Sequence, residues 1–224
     1  MMAPCLDKIN MKKGLYTDLN EIKSAFEKRI DQDGELWFMP NFLSAEEAFE
    51  IEQLLLNTIE WKQGEIHMFG KKHLEPRKTA WYGDEGCVYT YAGKKSHPIP
   101  WNDALMSLKK RVETFLPGVN FNSVLLNLYR DGRDKMGWHS DNEKELGKNP
   151  MIASLSLGAP RFFDLKHKQI KTLKKRFELP SGSLLIMCGN LQENWLHQVP
   201  PQKRVSEVRI NLTFRDIKTK NEKS

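Results

Sequence analysis

The sequence predicts a mainly β domain with flanking helices, an α+β chain whose sheet lies in its second half. Three observations carry this. Short apolar segments recur after residue 119, at Phe121–Arg130, Ile152–Leu157, Arg161–Leu165, Arg176–Leu179, Leu184–Cys188 and Val208–Phe214. Helical spacing of apolar residues is confined to the first half, and turn chemistry such as Pro180-Ser-Gly182 separates the later segments. Several short strands at this spacing suggest a sandwich or barrel, with the helices outside the sheet.

The chain has 224 residues and is 39% hydrophobic, enough for one domain with a sizeable core. No apolar run has membrane-spanning length, so no membrane partner is expected. The first residues lack the apolar stretch of a signal peptide. Cys5, Cys87 and Cys188 are odd in number and widely spaced, which argues for reduced thiols in a cytoplasmic or, in a eukaryote, nuclear setting. The net charge is +6, with basic clusters at Lys71-Lys72, Lys94-Lys95, Lys109-Lys110-Arg111, Lys174-Lys175-Arg176 and Lys203-Arg204. Such a balance fits a polyanionic partner, because neutralised phosphates release counterions, and fits a solvated basic surface equally.

Taken in order, residues 1–34 read as a polar N-terminal extension. Leu19, Ile22, Phe26 and Ile30 recur there at helical spacing and predict a short amphipathic helix. Leu36–Met39 is strand-like and stops at Pro40. Ser44-Ala-Glu-Glu47 is a capping box that opens a helix to about Thr58, with Ala48, Ile51, Leu55 and Ile59 on one face as core. Residues 61–93 alternate short strands and turns, and interleave bases with aromatics at Pro76–Gly83 and Val88–Gly93. That mixture suits phosphate contact and base stacking; packing of Trp81, Tyr82 and Tyr89 under loops is the plainer alternative. From Trp101 to Leu116 the apolar positions mark a second helix, ended by Pro117-Gly118, that backs a sheet.

The chemistry gathers at Asn127–Asp141, which reads as a strand, a turn and then His139-Ser140-Asp141. A His-x-Asp pair can give a metal two ligands on one side, and His197 is the best distant third. Two imidazoles and one carboxylate on one face leave the opposite positions open, as in non-heme Fe(II) oxygenases. His73-Leu-Glu75 is a rival pair, without a strand leading into it. Side-chain parity supports His139. Along Val208–Arg215, Arg209, Asn211, Thr213 and Arg215 share one face opposite an apolar row, and Asn127 and Tyr129 share a face of the earlier strand. If the polar row lines an interior, two guanidiniums surround a small anion, and a dicarboxylate is what a 2-oxoglutarate-dependent oxygenase needs. The alternative is that this row faces solvent.

Asn127-Leu-Tyr129, His139-Ser-Asp141, Ala153–Gly158, His197 and Arg209-Ile-Asn-Leu-Thr-Phe-Arg215 together resemble the AlkB family of Fe(II)/2-oxoglutarate dioxygenases, which repair alkylated nucleic acid. The resemblance covers residues 35–217. It implies a double-stranded β-helix, or jelly roll, over about 119–217, a nucleotide-recognition lid over about 61–95, and a C-terminal tail at 218–224. It implies His139, Asp141 and His197 as iron ligands. Asn127, Tyr129, Arg209, Asn211, Thr213 and Arg215 form the implied 2-oxoglutarate pocket, with Arg209 at the distal carboxylate and Arg215 nearer the metal.

The lid resembles the animal branch that works on double-stranded DNA. Phe69-Gly70-Lys71, Arg77 and Tyr89-Thr90-Tyr91 carry that likeness, and with Asn142 and Glu143 make the implied nucleic-acid contacts. Phe69 stands at the finger that fills the gap of a flipped base, and Tyr91 stacks on that base. The branch has Phe at the position of Tyr91, and close relatives are often acidic at Asn142. The implied activity is oxidative demethylation of N-alkylated bases by a monomer, with O2 consumed and formaldehyde released. An RNA demethylase and a non-catalytic nucleic-acid-binding module of the same fold are the alternatives.

Overall fold

The computed structural model describes residues 24–68, 71–91 and 94–218, and of residues 66–68, 71, 89–91, 94 and 95 the backbone. The strands run in chain order as β1 (Glu27–Ile30), β2 (Glu35–Met39), β3 (Glu65–Met68), β4 (Lys71–Leu74), β5 (Lys78–Gly83), β6 (Tyr89–Tyr91) and β7 (Lys94–Ser96). They continue with β8 (Ser123–Tyr129), β9 (Met136–His139), β10 (Ile152–Gly158), β11 (Arg161–His167), β12 (Lys174–Leu179), β13 (Leu184–Cys188), β14 (Trp195–Val199) and β15 (Arg209–Arg215). Helix α1 spans Ala45–Thr58, α2 Asp103–Thr114 and the short α3 Leu191–Asn194.

Two antiparallel sheets form a sandwich. The larger has the order β1-β2-β13-β10-β15-β8-β5, and the smaller β12-β11-β14-β9. Two ribbons, β3-β4 and β6-β7, stand apart from them. Period-two alternation assigns each residue of the larger sheet to one of two environments. Val124, Leu126, Leu128, Ala153, Leu155, Leu157, Ile210, Leu212 and Phe214 face a core shared with α1 and α2. The opposite face looks into the sandwich. There Ile152, Leu185 and Met187 join Phe163, Leu165, Trp195 and Val199 in a second core, and the polar row of β15 meets the cavity described below.

The helices form where their caps direct. Ser44 Oγ accepts from Glu47 N–H at 3.1 Å and the Glu47 carboxylate accepts from Ser44 N–H at 3.0 Å, the reciprocal pair of a capping box, worth about 1 kcal/mol. Asn102 Oδ1 accepts from Leu105 N–H at 2.9 Å to open α2. Arg111 of α2 reaches Glu47 at 2.8 Å and joins the two helices on the outside of the sheet. Among the described residues no helix is long and apolar enough to cross a membrane.

One expectation fails. The helix does not extend to Ile30: Ser24 and Ala25 are helical, Phe26 is a bend, and Ile30 lies on β1, which pairs with β2 with a register slip between Lys28 and Ile30. Phe26 packs in the first core and Ile30 in the second, on either side of the slip in β1. Leu19 and Ile22 lie outside the described residues. Tyr82 packs in the first core, whereas Trp81 reaches the cavity wall.

Leu212 is fully buried where β15 meets the helix-covered core. Leu212→Ala is expected to lower unfolding free energy by about 2–5 kcal/mol in urea titration, through lost burial plus the residual cavity.

Candidate metal centre and cavity

The chain enters the site through a turn built around one buried cation. Arg161 of β11 is 1% exposed, and its guanidinium donates to the carbonyls of Asp131 (3.1 Å), Asp134 (2.8 Å) and Pro200 (2.8 Å), and to Gln202 Oε1 (3.1 Å). These bonds tie the turn after β8 to the loop before β15. Gly132 is required there, because a Cβ would lie 1.8 Å from the carbonyl oxygen of Gln202.

Beyond this turn β9 pairs with β14. Val199 lies opposite Met136 and His197 opposite His139, so three steps along β9 match two along β14. This bulge lets Met136 and His139 both line the cavity although they sit three residues apart, and it turns Trp138 outward, 39% exposed. The His139 Nδ1 lies 2.8 Å from the carbonyl oxygen of Gly137. A carbonyl only accepts, so Nδ1 carries the proton and the Nε2 lone pair is free for a metal. That Nε2 is 3.8 Å from Asp141 Oδ1.

The Asp141 main-chain N–H donates to Gln192 Oε1 at 2.9 Å, and its Oδ2 accepts from Arg215 Nη2 at 2.8 Å. His197 enters from β14 with its ring centroid 4.2 Å from that of His139 and 5.2 Å from that of Phe163. The ligand atoms of His139, Asp141 and His197 all lie within 4.8 Å of one another.

Electrostatics put this set in the state a metal needs. Burial and the neighbouring His139 hold the His197 imidazole down at about 3, so it is neutral at ordinary pH. Burial pushes the Asp141 carboxyl up, but Arg215 and the two imidazoles override it and hold it at about 2, ionised. Burial lowers Arg209 to about 10, still charged. Its Nη2 donates to Ser156 Oγ at 2.9 Å and its guanidinium stacks on Tyr129 at 5.2 Å, yet among the described residues Nε and Nη1 are buried without a hydrogen-bond partner. A buried cation with two unused donors calls for an anion. Two imidazoles and a carboxylate suit Fe(II), and the Arg209 donors suit a carboxylate, so the residues fit both groups.

The three candidate ligands border a cavity of about 350 Å³ that opens between the sheet edges β5 and β9. Of the residues singled out in the sequence, Asn127, Tyr129, Asn211, Thr213, Arg215, Arg77 and Glu143 also line it. Arg209 does not: it lies behind Tyr129 and Ser156. Asn142 is exposed and off the cavity wall. Arg77, read as a nucleic-acid contact, is turned inward and donates through Nε to Asn127 Oδ1 at 2.9 Å. Lys71 lies on β4, and Tyr89, Thr90 and Tyr91 form β6, described by their backbone; Phe69 and Gly70 lie outside the described residues.

The rival pair separates. His73 is exposed on β4, while Glu75 is buried on the cavity wall, 3.6 Å from Arg77 Nη2. Sequence reasoning did not single out Gln192, which orients Asp141 from 51 positions away, or the apolar wall of Leu125, Met136, Met187 and Val199. No local pattern marks Gln192; Met136 was open to discovery from the pairing of β9, had that strand been recognised.

The model of the 2OG-Fe(II) oxygenase superfamily matches residues 35–215. The chain is 41% identical over 187 residues to the Homo sapiens protein named Alpha-ketoglutarate-dependent dioxygenase alkB homolog 3, covering 80% of this chain and 64% of that protein. It is 40% identical over 181 residues to the Mus musculus protein named DNA oxidative demethylase ALKBH2, covering 76% of this chain and 75% of that one. A solved structure titled "The structure of OsALKBH1" superposes with a TM-score of 0.55 at 16% identity, covering 85% of this chain and all of that one, a likeness of fold. The chain belongs to the 2OG-Fe(II) oxygenase superfamily and, within it, to the AlkB homologues. Its identity to these two relatives is level.

Acid should destabilise the metal-free protein. The unfolded chain protonates His197 near 6.5 and the folded chain only near 3, and Asp141 adds the same sign between 3.8 and about 2. Stability contributed by both is present at neutral pH and is lost as pH falls through those windows. Melting curves between pH 7.5 and 5 should show Tm dropping, and His197→Gln should flatten the drop.

Proposed function

We propose that this chain is an Fe(II)- and 2-oxoglutarate-dependent demethylase of N-alkylated bases in nucleic acid, acting on double-stranded DNA through a flipped base. The observation that carries this is the convergence of His139, Asp141 and His197 beside a buried Arg209 with two unused donors. The relatives named as dioxygenase and DNA oxidative demethylase support it.

In this reading His139, Asp141 and His197 hold the metal. Arg209 binds the distal carboxylate of 2-oxoglutarate from behind Tyr129. Asn127, Tyr129, Asn211 and Thr213 wall the co-substrate. Arg215 keeps Asp141 ionised and fixes the oxygen it bonds, which leaves Oδ1 for the metal. With O2, the bound metal and 2-oxoglutarate supply the oxidant that hydroxylates an N-methyl group, yielding succinate, CO2, formaldehyde and the restored base. The protein residues position the base and keep water from the oxidant. Glu143, on the cavity wall, faces the base, Tyr91 stacks on it, and Phe69 fills the gap it leaves in the duplex. Gly70, Lys71, Tyr89 and Thr90 complete the lid contacts.

The unit that acts is residues 35–217, with a lid over 61–95 and a core over 119–217. It works as a monomer. The odd number and wide spacing of Cys5, Cys87 and Cys188 support a reducing compartment, the cytoplasm or nucleus.

The test is anaerobic reconstitution with Fe(II) and 2-oxoglutarate, then oxygen and an oligonucleotide carrying one 1-methyladenine. Loss of one methyl mass that depends on both additions is expected; its absence with every methylated base and strand form would end this reading. His139→Ala and Asp141→Ala should lower turnover at least a thousandfold while oligonucleotide affinity stays within about threefold. Phe69→Ala should slow repair of duplex more than of single strand, and equal slowing would remove the finger.

A further inference from the structure

The outer face of the smaller sheet carries features that neither its packing nor the cavity uses. On β11 the inward residues Phe163 and Leu165 fill the second core, so Phe162, Asp164 and Lys166 point out. One end of that outer face is neutralised: Arg176 donates to Asp164 at 2.6 and 2.9 Å, and Gln198 joins them at 3.0 Å. The other end is not. Lys174 of β12 stands directly opposite Lys166 in register, and among the described residues neither pairs with a carboxylate. Like charges facing each other across a ladder repel, which costs stability unless something anionic lies over them.

The same row runs on to an exposed aromatic. Lys166 is paired with Leu196 of β14, and its Nζ sits 4.3 Å from the ring centroid of Trp138, the residue the β9 bulge turns outward. Trp138 adjoins His139 in the chain and stands on the outer side of an edge strand that forms one lip of the cavity. Lys168 adds a third cation at that lip, donating to Ser140 Oγ at 3.1 Å and to the carbonyl of Gln192 at 2.9 Å.

We infer that this face, Trp138 with Lys166, Lys174 and Lys168, is a docking surface for single-stranded nucleic acid leading into the cavity. An exposed indole flanked by amines takes an unpaired base on its ring and phosphates on its cations, and needs no sequence. A base inside a duplex is stacked and paired, so the indole has nothing to take from it. The surface goes beyond the proposed duplex activity and rests on it only for the chemistry: it gives the same cavity a second, single-stranded entry at the lip where the candidate metal ligands lie.

The experiment is fluorescence anisotropy with the full chain, a labelled single strand, and a duplex of the same sequence, across a salt series. Trp138→Ala should weaken single-strand binding roughly tenfold and leave duplex binding within about twofold, and Trp138→Phe should restore the single strand. Lys166→Glu with Lys174→Glu, which touches no cavity residue, should lower the slope of log affinity against log salt by about 1.4 on the single strand, two phosphates at about 0.7 each. Equal weakening of both strand forms by Trp138→Ala, or an unchanged salt slope in the double variant, overturns the surface. Repair assays on the same proteins keep the two ideas apart. A wild type that shows these binding effects yet repairs no methylated base sinks the activity and leaves the surface standing. A wild type that repairs while the variants bind as it does sinks the surface alone.

Discussion

The structure depends on burying a polar row on the inner face of an apolar sheet. Arg209, Asn211 and Thr213 alternate with Ile210, Leu212 and Phe214, and every one of the six is buried. The apolar three need no explanation beyond the helices that cover them. Asn211 and Thr213 are tolerable because each has somewhere to send its donors, and Arg209 is satisfied in part. Asn211 Nδ2 donates to Ser154 Oγ at 2.7 Å, Thr213 Oγ1 donates to Asn211 Oδ1 at 3.1 Å, and Arg209 Nη2 reaches Ser156. Ser154 and Ser156 come from β10, whose register against β15 sets them opposite Thr213 and Asn211. The sheet therefore builds a hydrogen-bonding floor first, and the cavity is what stands on it.

From that floor the charge balance of the site follows. Arg215 at the end of β15 neutralises Asp141, while Arg209 at the start has donors to spare. The two guanidiniums are separated by the length of one strand and do different work. One keeps a carboxylate ionised in a buried place, which the fold alone would oppose. The other remains an uncompensated cation, tolerated in part by stacking between Tyr129 and its neighbours.

How much of this was legible in the sequence depends on distance along the chain. Parity is a local property, so the two-faced character of β15 and β8, and the direction of Asn127 and Tyr129, could be read from residue types alone. The capping box of α1 was legible for the same reason. The His-x-Asp pair and its distant His197 were legible as chemistry, since few other donors compete. Register was not. Sequence reasoning passed over β9 and β14, because a four-residue strand with a bulge has no clean alternation and Trp195–Val199 carries a histidine at its centre. It therefore missed Arg161, whose bonds to three carbonyls far apart in sequence leave no local pattern, and Gln192, which acts through one amide oxygen. Ile30 misled for the opposite reason: it falls at helical spacing from Phe26, but the chain has passed from helix through a bend into β1 between them.

The bulge in β9 has a further meaning. Three steps there are counted against two on β14, so the strand runs one step out of phase with its partner between Met136 and His139. The candidate metal centre is thus written in a frame offset rather than in the regular ladder. Removing Gly137 would make the pairing regular, with Trp138 opposite Gln198 and His139 still opposite His197, yet it would take away the carbonyl oxygen that fixes the proton on His139 Nδ1.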